Sequence, residues 1–176
     1  MINVVKGKRM SEMINMMTRK IFLDVCIGIE TLCAELYHYY SKIYEDVPEA
    51  SRLWKKTAFE EENHRMQFEL ALKLLKETEF DVTEDNLKRA YSVQYKLLKL
   101  MDHIKNNQPD LLTAVSKAVE MEEKLADLHA HASLDFSDKS MQKLFKALNE
   151  ADREHIGALK NYRTILYLPQ SMMGEQ

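Results

Sequence analysis

A chain of 176 residues with only 4 Gly and 3 Pro is about one domain long and far poorer in turn-formers than an average protein, where these two types make up roughly 12%. That excludes a many-stranded β fold, which needs a turn signal every ~8–12 residues, and leaves long helices. The 25 basic and 28 acidic residues nearly cancel, to a net charge of −3, so composition offers neither a basic nucleic-acid face nor an acidic disordered tail.

The first helix is predicted near residues 11–44. Its longest apolar run, residues 21–34, is too short to cross a bilayer and is broken by Asp24 and Glu30, so no membrane insertion is expected. Lys6, Lys8 and Arg9 are not followed by an uninterrupted apolar stretch and a small-residue cleavage site, so no secretory signal is expected and a cytoplasmic location fits. Met10, Met13, Met16 and Met17 read as adaptable packing residues. Cys26 and Cys33, seven apart, share a helix face ~10 Å apart, too far to bridge, and read as small buried side chains.

Asp46-Val47-Pro48 closes this helix and opens a second near 48–77, because Pro suits a first helical turn while the residue before it avoids the α region. Asp81-Val82-Thr83 followed by Glu84, Asp85 and Asn86 reads as a break and an N-cap, starting a third helix near 84–105. The break over residues 106–110 precedes a fourth helix near 110–135. Ser137-Asp138 caps a fifth near 138–167, ended by Pro169. All five are assigned to one domain, 1–176.

The second and fifth helices repeat one another. Trp54, Thr57, Glu61, His64, Phe68, Ala71 and Leu75 match Phe145, Leu148, Asp152, His155, Leu159, Tyr162 and Leu166 at a constant offset of 91. Both runs alternate steps of 3 and 4, the stripe of a core-facing helix, yet each carries a carboxylate and a histidine where Leu or Ile belongs. The helices before them match at an offset of 92: Glu30, Ala34, Leu36 and Tyr37 against Glu122, Ala126, Leu128 and His129. Glu30 sits in the stripe Leu23, Cys26, Cys33, Tyr37, and Glu122 in the stripe Val115, Ala118, Leu125, His129. Glu120 and Glu123 flank Glu122, and a shift of frame by one would exchange them.

Two helix pairs, each with one inward Glu and one carboxylate-x-x-His, form a pseudo-twofold bundle whose core holds four carboxylates. Buried without partners they would cost several kcal/mol each or protonate. The inner stripes hold no Lys or Arg, and two histidines cannot balance four carboxylates, but a pair of divalent metal ions can. Positions i and i+3 point to one side of a helix, so Glu61/His64 and Asp152/His155 can each grip one ion, with Glu30 and Glu122 bridging or chelating. Such a donor set suits iron or manganese better than zinc. Tyr37 and His129 read as core residues whose polar tips could orient a ligand. Glu60, Glu62 and Glu154 read as outward charges, and His38, His103 and His131 as surface or packing residues.

Glu30 with Tyr37, Glu61-Glu62-Asn63-His64, Glu122 with His129, and Asp152-Arg153-Glu154-His155 resemble the rubrerythrin branch of the ferritin-like di-iron carboxylate proteins, over residues 17–166. The resemblance implies an all-α, ferritin-like four-helix bundle in which the segment near 84–105 is a crossover helix. It implies two iron ions held by Glu30, Glu61, His64, Glu122, Asp152 and His155. It further implies a reaction with hydrogen peroxide or dioxygen, with ferroxidase or iron handling as the alternative. This chain departs from the pattern at Asp152, where the family has Glu, and at Leu125, where rubrerythrins carry a further carboxylate. It also lacks a four-cysteine rubredoxin-type domain, so electrons would come from a separate donor protein. With Leu125 and Cys33 at equivalent places, a near-symmetric site is expected. Leu87, Tyr91, Tyr95, Leu98 and Met101 on the crossover helix are expected to lie on the bundle or on a partner subunit, favouring a homodimer. A reading of a different class is a helical interaction module without a metal.

Overall fold

The computed structural model describes residues 2–75 and 80–168, apart from the side chains of residues 2–9. The second helix, expected to run near 48–77, ends at Lys73, and the fifth ends at Tyr167 as expected near 138–167; residues 76–79 and Pro169 lie outside the described residues. Five helices follow in order: α1 (Ile2–Ile43), α2 (Pro48–Lys73), α3 (Glu84–Asn106), α4 (Leu111–Asp135) and α5 (Lys139–Tyr167). Among the described residues there is no strand, and no helix is long and apolar enough to cross a membrane.

The breaks act as the side chains dictate. Pro48 occupies the first turn of α2. Thr83 accepts from the Asn86 amide, Asp110 from that of Thr113, and Asp138 from those of Ser140 and Met141, each satisfying amides left free at a helix start. α1 and α2 form one antiparallel hairpin, and α4 and α5 a second. Between hairpins, Tyr44 Oη donates to Pro109 O at 2.7 Å, Tyr37 to Glu122, and Phe22 meets Phe136 at 6.0 Å between ring centroids. Positions rise along α1 as they fall along α4, so these helices are antiparallel.

α3 makes that order possible. It starts beside the C-terminal end of α4, where Asn86 Nδ2 donates to Asp135, and ends beside Tyr39, whose hydroxyl donates to Ile104 O. The chain thus crosses the length of the bundle before α4 begins. The architecture is an all-α, ferritin-like four-helix bundle with a crossover helix. Gly28 leaves space for the α3 side chain Gln94, whose Nε2 lies 2.6 Å from where a Cβ would stand.

The inner stripe of α3 is Asn86, Ala90, Val93, Leu97, Met101 and Ile104, so of the five apolar residues expected to lie on the bundle or on a partner subunit Met101 is the one buried within the chain. Leu87 is half-buried, and Tyr91, Tyr95 and Leu98 face outward. An isolated apolar pattern with several Leu and Tyr residues permits two stripes, and packing against α1 selects one. One expectation changes: α1 starts well before residue 11, and Met10, Met13, Met16 and Met17, expected as packing residues, are exposed. Cys26 and Cys33 are buried free thiols, as expected.

An aromatic cluster closes the core at one end of the bundle. The Phe145 ring lies 5.0 Å from Phe136, 5.3 Å from Phe68, 5.6 Å from His129 and 5.8 Å from Phe22. Phe145→Ala should cost about 3–5 kcal/mol, lowering the urea midpoint with little change in slope. Phe59→Ala, at an exposed ring, should stay within about 0.5 kcal/mol of wild type. Comparable losses in the two variants would contradict this placement of the core.

Candidate metal centre

The two repeats meet halfway along the bundle. α1 supplies Glu30, α2 Glu61 and His64, α4 Glu122, and α5 Asp152 and His155, all buried. All six residues read from the spacing therefore reach one interior. Glu120 and Glu123 point outward and pair with Lys117 and Lys160, which fixes the frame on Glu122. Glu154 is exposed.

Glu61 is the shared carboxylate. His64 Nδ1 lies 3.1 Å from its Oε2, and His155 Nδ1 lies 3.0 Å from its Oε1. Glu30 Oε2 approaches His64 Nδ1 to 3.8 Å, and Glu122 Oε2 approaches His155 Nδ1 to 3.4 Å. Two groups, Glu30/Glu61/His64 and Glu61/Glu122/His155, each bring donor atoms within 4.8 Å of one another and could hold a metal ion.

Tyr37 and His129 complete the interior. The Tyr37 hydroxyl donates to Glu122 Oε1. His129 Nδ1 lies 2.7 Å from Asp152 Oδ2, and its Nε2 3.5 Å from Glu30 Oε1. Tyr37 on Glu122 and His129 on Glu30 are equivalent contacts under the pseudo-twofold repeat.

The symmetry ends there. Asp152 is one methylene shorter than Glu61, and it pairs with His129, joining neither donor group with a shared atom cluster. Leu125 is buried, as is its counterpart Cys33. Burial, and then the charges of Glu61, Glu30, Glu122 and Asp152, push the Cys33 thiol well above its usual pKa, so an undissociated thiol faces the carboxylates.

Protons take part in balancing this interior. Burial holds Glu30 and Glu122 well above the usual carboxylate range, with the Glu61 charge adding to both. Burial would raise Glu61 too, but the close imidazoles of His155 and His64 outweigh it and hold Glu61 far below that range. Burial alone would lower the two imidazoles; their carboxylate neighbours instead lift His64 to about 10 and His155 to about 11. The two imidazoles thus favour the ionised form of Glu61, and Glu61 the protonated form of each imidazole. The balance is incomplete: both oxygens of Glu30, Glu61 Oε1, Asp152 Oδ1 and His129 Nε2 are buried without a well-formed hydrogen bond. Orphaned carboxylate oxygens beside imidazole nitrogens fit a cation better than they fit an apolar core.

One residue escaped the sequence reading. Glu60 was expected to face outward, yet its Oε2 lies 3.0 Å from His155 Nε2. Periodicity could not show this, because Glu60 is about 100° around α2 from Glu61 and meets the centre only through α5. His38 behaves as a surface residue, paired with Glu62 at 2.8 Å.

Comparison with known proteins agrees with this geometry. No significant match to an individual curated protein or solved structure was found. The rubrerythrin family model matches residues 22–162, a span that includes every donor described above. With that match over most of its length, a ferritin-like bundle and a carboxylate-histidine interior, the chain belongs to the rubrerythrin family.

Proposed function

We propose that the chain is a di-iron carboxylate oxidoreductase that reduces hydrogen peroxide or dioxygen with electrons from a separate donor. The observation that carries this reading is Glu61 set between His64 and His155 at 3.1 and 3.0 Å, flanked by Glu30 and Glu122 and closed to solvent. Glu30, Glu61 and His64 would hold one ion and Glu61, Glu122 and His155 the other, with Asp152 reaching the pair only by turning from His129. Manganese fits the same donors.

A pair of iron ions bound there would supply one electron each for cleaving the O–O bond of peroxide, which takes up two protons to yield two waters. The side chains hold that chemistry in place. Glu61 joins the two positions, Tyr37 fixes Glu122 through a hydrogen bond, and His129 fixes Asp152. Burial of all these groups keeps bulk water away and strengthens each charge interaction.

Reaction with peroxide is the direct test. Anaerobic protein loaded with ferrous iron should consume one peroxide for every two ferrous ions and develop near-ultraviolet ferric absorption. Oxidation no faster than that of free ferrous ion would contradict the proposal. Release of the ferric product into solution, with little return to ferrous iron on adding a reductant, would support ferroxidase activity in its place.

The ions should also stabilise the fold, since they bind the folded interior and replace protons that balance it. Ferrous iron at about 1,000 times its dissociation constant should raise the melting temperature by roughly 8–16 °C per ion bound over chelator-treated protein. An unchanged midpoint would mean that no ion enters. Replacing both His64 and His155 with Ala should abolish the shift, and a shift that persists would place the ions elsewhere.

A further inference from the structure

The two histidines of the centre are not held alike. His155 turns Nδ1 inward, 3.0 Å from Glu61 Oε1 and 3.4 Å from Glu122 Oε2. Its other nitrogen points away from the cluster and lies 3.0 Å from Glu60 Oε2, while Glu60 Oε1 lies 3.5 Å from the exposed ammonium of Lys56. Glu60 thus spans from the α2 surface to α5. Its side chain is 36% exposed where that of His155 is 6% exposed.

The repeat puts no such group on His64. Ala151 occupies the position 91 residues after Glu60, and a methyl group accepts no hydrogen bond. The histidine of α5 therefore has a carboxylate on its outer nitrogen by a device the other half of the molecule lacks. A carboxylate that accepts from the outer N–H of an imidazole fixes the tautomer and ring orientation and makes the inner nitrogen a stronger donor.

We propose that Glu60 is a positioning residue that orients His155 and makes the metal position built on His155 and Glu122 bind more tightly than the one built on His64 and Glu30. Glu60 touches neither ion; it acts through the imidazole. The inference rests on the metal centre proposed above. It gives the site an order of filling: the position nearer Glu122 is loaded first, and the position nearer Glu30 is the exchangeable one.

Calorimetric titration of metal-free protein with cobalt(II), followed also by ligand-field absorption, tests this. Wild type should show two unequal steps. Glu60→Ala should weaken the tighter step about 10–100-fold and shift the absorption of that ion, leaving the other step within about twofold. Glu60→Gln keeps an acceptor without the charge and should fall between. Glu154→Gln removes the same charge from the exposed residue next to His155 and should change neither step. A thermal melt of each variant establishes that it is folded, and if Glu60→Ala does not fold, Glu60→Gln alone decides. Equal weakening of both steps, an unchanged isotherm, or the same loss in Glu154→Gln would overturn the proposal. Wild type binding two ions, with Glu60→Ala indistinguishable from it, overturns this inference alone, whereas wild type binding none overturns the metal centre as well.

Discussion

Anionic side chains in the middle of a helical bundle govern this molecule. Glu30, Glu61, Glu122 and Asp152 are buried, and carboxylates in such surroundings must be neutralised by protons, cations or both. The chain provides two imidazoles that hold Glu61 ionised and a low-polarity setting that favours protonated Glu30 and Glu122. What it does not provide is an acceptor's full complement of hydrogen bonds: several of the central oxygens remain orphaned. The arrangement leaves two groups of buried donors that could hold a metal ion, which is how it differs from a finished core.

The rest of the fold serves to bring those groups together. Two hairpins alone would not do it, because the inward faces of α1 and α4 meet in register only if the chain returns along the bundle before α4 begins. α3 makes that return, anchored at one end by Asn86 on Asp135 and at the other by Tyr39 on Ile104. The aromatic cluster around Phe145 then fixes one end of the interior, with His129 packed against it. A defect in that cluster would therefore disturb both stability and the partner of Asp152.

The repeat made the fold and six central residues legible in the sequence, because a polar residue in an otherwise apolar helical stripe is costly and a matched pair of such costs has few explanations. Caps at Thr83 and Asp138 were readable because a Thr or Asp side chain at a helix start accepts from free backbone amides, whereas Asp110 read only as part of a break and proves to be a cap as well. What periodicity could not show is how two faces meet. The choice between inward stripes on α3 depended on packing against α1, and the exposure of Met10, Met13, Met16 and Met17 depended on α1 running past the end of the bundle. A near-symmetric centre was expected although Asp152 could be seen to be short; that its oxygen turns to His129, and that Glu60 reaches His155 from a neighbouring helix, are facts of tertiary structure that overturn it.

The proposed function requires two ions that share Glu61. Crystals grown with ferrous iron under anaerobic conditions, measured at wavelengths on either side of the iron absorption edge, test that claim most directly. Two anomalous peaks inside the bundle, one beside His64 and Glu30, the other beside His155 and Glu122, with Glu61 between them, are the result this account predicts. A single peak, or peaks confined to surface carboxylates with Glu61 still bonded to both histidines, would contradict it.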